Sequence, residues 1–187
     1  MVGLSPHPVD AQISEFTDVY RQLRELSKER ILTRKNLSLK AVHPFADGLT
    51  IVDISVPDYW MIRLSGTKAC ERQGEDKTGC DAKLSFSDDE QILRSSLAHS
   101  LFENPCGIRA LTRETYASGE FSLLDTIALP LLGEEGQRLV AHYAQVVVDI
   151  EHDYRARPVA EHTDLVSYEY VDLGQGVPSA EVERLRA

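Results

Sequence analysis

The residues of this chain that could do chemistry are few and scattered. Glu151-His152-Asp153 and Glu161-His162 carry the side chains of a metal site, but neither has a spacing that closes several ligands around one ion. Both read as parts of a solvated acidic segment. His142 lies beside Tyr143 in a strand-forming run, so a packed or half-exposed imidazole is expected there. Cys70, Cys80 and Cys106 are odd in number and lack the short spacings of a zinc site, which leaves buried or idle thiols in a reducing compartment. No Gly-x-Ser-x-Gly elbow and no phosphate loop occurs. Gly133-Glu-Glu-Gly136 is too acidic to cradle a phosphate. The paired carboxylates Asp88-Asp89 are explained by helix capping, since Ser87 to Glu90 forms a Ser-x-x-Glu box. An enzyme would need titratable groups converging in a cavity. The strands offer few beyond Asp53, Arg63 and His142, so no enzymatic activity is expected.

The elements around these residues are those of an ordinary globular chain. Its 187 residues, 42% apolar and 27% charged, fit one domain with extensions. A net charge of -10 repels phosphate backbones, so nucleic-acid binding is not expected. The basic run from Lys28 to Lys40 reads as a solvated helix end. The N-terminus lacks a basic region followed by an apolar run, and no stretch approaches the roughly 20 apolar residues that span a bilayer. A soluble, cytoplasmic protein without membrane contact is expected.

Three parts are expected: a lead and amphipathic helix (1–36), a main domain (37–150) and a C-terminal extension (151–187). After a proline-bearing lead, Asp10 offers a helix N-cap. Ile13, Phe16, Val19, Tyr20, Leu23 and Leu26 then recur at spacings of three and four, with Glu15, Asp18, Arg21, Arg24 and Glu25 opposite. This stripe must pack on its own sheet or on a second copy of the chain. A homodimer through Ile13, Phe16, Tyr20, Leu23 and Leu26 is the expectation carried forward. Leu49–Ser55 and Tyr59–Leu64 read as strands around a Val56-Pro57-Asp58 turn. Thr50, Val52 and Ile54 share one face of the first, and Leu49, Ile51 and Asp53 the other. Both faces are mostly apolar, which implies a sheet covered on both sides. Short pieces follow to Phe86, then a helix from Ser87 to about Phe102, ended by Pro105. Gly107–Tyr116, Phe121–Leu132 and Leu139–Ile150 read as a meander joined by short turns. A further strand over Leu165–Leu173 and a short helix over Ser179–Arg186 are expected in the extension.

This order of elements, the Arg63-Leu-Ser-Gly-Thr67 ending of the second strand and the Gly74-Glu-Asp-Lys-Thr-Gly79 run resemble a PAS-fold domain. They are most similar to a bacterial PAS-like family whose members often stand alone. The Ser118-Gly119 hairpin and Leu129-Pro-Leu-Leu132 share the resemblance, which covers about Phe16 to Ile150. It implies an α+β fold in which a five-stranded antiparallel sheet faces small helices across a pocket. Such pockets hold haem, flavin, small metabolites or nothing. Haem needs an axial ligand, and His99 lies on the long helix. At about 100° per residue it falls roughly 160–200° from the Leu93, Leu97 and Leu101 stripe, toward solvent. Neither Cys70 nor Cys80 stands in an Asn-Cys-Arg context. Haem and covalent flavin are therefore not expected, and the ligand, if any, is left open.

The resemblance places Trp60, Ile62, Leu64, Leu97, Leu101, Tyr116, Leu124 and Leu129 around the pocket, with Arg63 as its polar handle. A solid core built from the same residues is the alternative. The expected role is sensory or regulatory: binding a small ligand or a signalling protein and acting through protein–protein contacts. A structural adaptor with a filled core, and a small-molecule enzyme using the pocket, are the other readings.

Overall fold

The computed structural model describes residues 8–148 and 160–178. Residues 1–7 of the expected lead, the Glu151-His152-Asp153 cluster and the Ser179–Arg186 helix lie outside the described residues. Helix α1 spans Pro8–Ser27. It begins before the expected cap at Asp10, because a proline in the first turn gives up only an N–H that has no intrahelical partner. The strands are β1 (Leu49–Val56), β2 (Tyr59–Ser65), β3 (Gly107–Tyr116), β4 (Phe121–Leu132), β5 (Arg138–Val148) and β6 (Ala160–Val171). Short helices α2 (Leu39–Val42) and α3 (Thr67–Gln73), a 3-10 turn at Ala82–Ser85 and the longer α4 (Asp88–Glu103) connect them.

The strands form one antiparallel sheet in the order β2-β1-β5-β4-β3-β6. It has the five strands that the resemblance implied and a sixth from the C-terminal extension. The sixth pairs along β3 from Gly107↔Val171 to Tyr116↔Ala160. It starts earlier than the Leu165–Leu173 segment read from sequence, because Glu161, His162 and Asp164 mask its first half.

The two faces of the sheet are covered by different elements, as the doubly apolar β1 requires. On one face Leu49 and Ile51 of β1, Ile127, Leu129 and Leu131 of β4, and Leu139, Ala141 and Tyr143 of β5 meet α1. Ile13, Phe16 and Tyr20 are 2%, 1% and 1% exposed there. The rings of Phe16, Phe45 and Tyr143 lie 5.2–5.5 Å apart. The Tyr20 hydroxyl donates to the Pro130 carbonyl at 2.6 Å, and burial raises the phenol's pKa above its usual range. The stripe offered for dimerisation is thus consumed by the chain's own sheet, with Leu23 half-buried against the same cluster. Leu26 is 80% exposed and is not part of the stripe. Six residues from Tyr20 it has turned about 240°, and Arg24, four residues on, is buried instead.

The Leu-Ser-Gly-Thr ending of β2 has a steric reason. A Cβ on Gly66 would lie 2.4 Å from the Asp47 carbonyl oxygen and 2.6 Å from that of Ala46. That close approach lets the Gly66 N–H reach Leu49 O at 2.9 Å and the Lys68 N–H reach Asp47 O at 2.8 Å, which starts α3 against β1. Gly74, at φ 77°, then ends α3 in the left-handed conformation that glycine adopts freely.

Candidate functional site

Period-two alternation turns Thr50, Val52 and Ile54 of β1, Ala110, Thr112 and Glu114 of β3, and Leu124, Thr126 and Ala128 of β4 to the face opposite α1. Val140 and His142 of β5 join them. Leu97, Ala98 and Leu101 of α4 and Phe86 cover that face without filling it. A cavity of about 190 Å³ remains between sheet and helices.

Five of the sequence-derived candidates meet at this cavity: Trp60, Ile62, Leu97, Leu101 and Leu124. Four do not. A β-bulge at Arg63 shifts the register so that Ile51 pairs Leu64 while Val52 pairs Ile62. Ser65 rather than Leu64 therefore faces the cavity, and Leu64 is 38% exposed. Arg63 turns away as well and pairs with Asp53 at 2.7 Å on the α1 face. Burial pushes Asp53 up, but hydrogen bonds from Ser55 and Arg63 outweigh it and hold the carboxyl below its ordinary value. Leu129 lies five positions after Leu124, an odd offset that puts it among the α1-side residues. Tyr116 is buried beyond Glu114 and shares a hydrogen bond with Ser122 at 3.2 Å.

The polar groups of the cavity are others. Arg72 of α3 reaches Glu114 of β3 with Nε–Oε2 2.6 Å, both side chains under 10% exposed. Gln73 donates to the same carboxylate at 3.4 Å. Both oxygens of Glu114 are thus engaged, which removes it as a free base. Arg94 of α4 donates through Nε to Glu90 at 2.7 Å and lies 4.4 Å from the Phe86 ring centroid. Glu90 also accepts the Leu165 N–H at 2.9 Å, which ties α4 to β6. The Arg94 Nη2 is buried and has no hydrogen-bond partner among the described residues. Burial lowers the Arg94 pKa, opposed by Glu90. His142 of β5 is half-buried and lines the cavity. Its pKa is pushed down to about 4 by burial first and then by Arg94 and Arg72.

Sequence reasoning missed Arg72, Glu114 and Arg94. The signal was present in each case. Glu114 and Thr112 fall on the inward positions of β3, where a charge needs a buried partner. Arg94 lies four residues after Glu90 and three before Leu97, on the inner side of α4. Other expectations on chemistry stand differently. His99 is exposed and meets Glu103 at 2.9 Å. Among the described residues no three His, Cys, Asp or Glu side chains converge on a metal position. Cys80 is exposed, Cys70 half-buried and Cys106 buried, the last with its thiol raised to about 11, mainly by desolvation. No described helix is long and apolar enough to cross a membrane.

His142 gives this site a pH signature. Its folded-state pKa lies below the ordinary 6.5, so below that pH the unfolded chain takes up a proton that the folded one refuses. Stability should fall as pH drops from about 6.5 to about 4, by about 3 kcal/mol for this group. Urea unfolding should show the wild type losing about 3 kcal/mol more stability than His142→Gln over that pH range. Parallel pH profiles would contradict an imidazole held neutral in the cavity wall.

No family model and no curated protein matches the chain. Solved structures resemble it at low identity. A light-oxygen-voltage domain studied with a flavin analogue is 14% identical over 59% of this chain and 84% of its own, with a TM-score of 0.45. The PAS domain of a Colwellia psychrerythraea protein is 16% identical over 59% of this chain and 97% of its own, TM-score 0.43. The Rhodobacter sphaeroides light-oxygen-voltage protein is 14% identical over 72% and 67%, TM-score 0.43. The fold is decided by its own topology: an antiparallel sheet ordered 2-1-5-4-3, with the helices that cover one face inserted between its second and third strands. The described residues have a PAS-like α+β fold, extended by α1 over the other face and by β6 along β3.

Proposed function

We propose that this chain is a sensory or regulatory domain that binds a small molecule in the cavity between sheet and α4. One observation carries the reading. The covering helices leave about 190 Å³ unfilled, with apolar walls and a few buried polar groups. Ligand sites have that composition, whereas a purely structural core closes to crystal-like density. The volume is below the roughly 300–1,000 Å³ of drug-sized pockets, so the ligand is small. The cavity is roofed by α3, the 3-10 turn and α4. Occupancy would therefore be felt first by these elements and be passed on through contacts with a partner protein.

Native mass spectrometry of freshly purified protein tests this. The expected result is an added small mass that is lost on denaturation, or a thermal upshift with at least one compound from a panel of small metabolites. A bare chain that no compound in the panel stabilises would sink the reading.

A further inference from the structure

The charges around the cavity are unevenly distributed. Arg72, Lys77 and Arg94 line it as cations, and Glu114 is the one carboxylate among its lining residues. This occurs in a chain of net charge -10. Glu114 is held by Arg72 and Gln73. Glu90 engages the Arg94 Nε, and Asp164 of β6 adds a weaker favourable field. Arg94 nonetheless keeps a buried Nη2 with no acceptor among the described residues. A buried donor left unpaired is costly, and a guanidinium is always charged and always a donor. Arg94 lines the cavity, so an anion bound there would lie beside this guanidinium. His142 on the opposite wall, its pKa lowered first by burial and then by Arg94 and Arg72, lies in the field of the same cations.

Building on the binding role proposed above, we infer that the cavity takes a small organic carboxylate, its head on Arg94 and its apolar body against Trp60, Leu97 and Leu101. A phosphate dianion fits less well, because it would waste the apolar walls. The size also narrows the class. A cavity of roughly 150 Å³ holds benzene, so about 190 Å³ has room for a six-membered ring or a branched chain plus a carboxylate.

Trp60 is the only tryptophan of the chain and lines the cavity, so its fluorescence reports occupancy. Titration of the full chain at pH 7.5 with benzoate, 4-methylpentanoate, benzyl alcohol, benzamide and benzylamine, read by Trp60 emission and calorimetry, is the test. The two acids should bind about ten- to hundredfold more tightly than the neutral compounds, the usual gain from a charge-assisted hydrogen bond. Arg94→Met should remove that advantage and bring the two acids down to the affinity of the neutral compounds. Because Arg94 also pairs with Glu90, the wild-type panel decides the matter even if the variant folds poorly. Neutral compounds binding as well as the acids, or benzylamine binding best, would overturn the carboxylate while leaving a ligand-binding cavity. Failure of all five compounds, with a bare chain in native mass spectrometry, would overturn both.

Discussion

Arg72→Met should lower the stability of this domain by about 3–5 kcal/mol. Arg72 and Glu114 are 8% and 2% exposed and lie 2.6 Å apart. Removing the guanidinium strands a carboxylate on the inner face of β3, with only a long contact from Gln73 at 3.4 Å. The double change Arg72→Met with Glu114→Leu removes both charges and fills similar volume. It should regain most of the loss, because a buried pair is dear to break and cheap to replace. Chemical denaturation of the two single variants and the double variant measures this directly. Additive losses in the double variant would mean that the two side chains are not a coupled unit.

The second large effect lies on the other face. Phe16→Ala should cost about 3–5 kcal/mol, the range for emptying a buried aromatic site. Phe16 is 1% exposed and touches the rings of both Phe45 and Tyr143, so three elements would face one void. Such a loss would show that α1 belongs to the folding unit. The contrary outcome, a near-neutral Phe16→Ala in thermal unfolding, would mean that α1 is a detachable arm. Deleting residues 1–30 would likewise expose Ile127, Leu129 and Leu131 rather than merely separate two copies.

Much of this architecture was legible from residue spacing. The β-branched runs, the Pro-Asp and Ser-Gly turns and the Ser87 capping box placed β1 to β5 and α4 close to where they lie. Face assignments held wherever strict alternation held, as in Thr50, Val52 and Ile54. They failed at Leu64 because a bulge at Arg63 inserts one residue into β2, and a one-residue slip exchanges the two faces. The dimer stripe misled for another reason. An amphipathic helix announces that it must be covered, but its periodicity does not say by what. The cavity's charged residues escaped because apolar patterning looks past a charge on an inward position. Arg72 and Glu114 are 42 residues apart, a partnership that only the fold creates.

The sixth strand also bears on how the chain is made. The outer edge of β3 is occupied by β6, yet Val171 follows Tyr116 by 55 positions. During synthesis at about 5–20 residues per second, that edge stays bare for about 3–11 s. In that interval β3, with Ile108, Ala110 and Leu111 along it, can template pairing with another nascent chain. Arrival of β6 closes the edge. It carries Glu161, Asp164 and Glu169, charges that discourage a further strand from adding to its own free side. The last described strand thus ends the growth of the sheet as well as completing the domain.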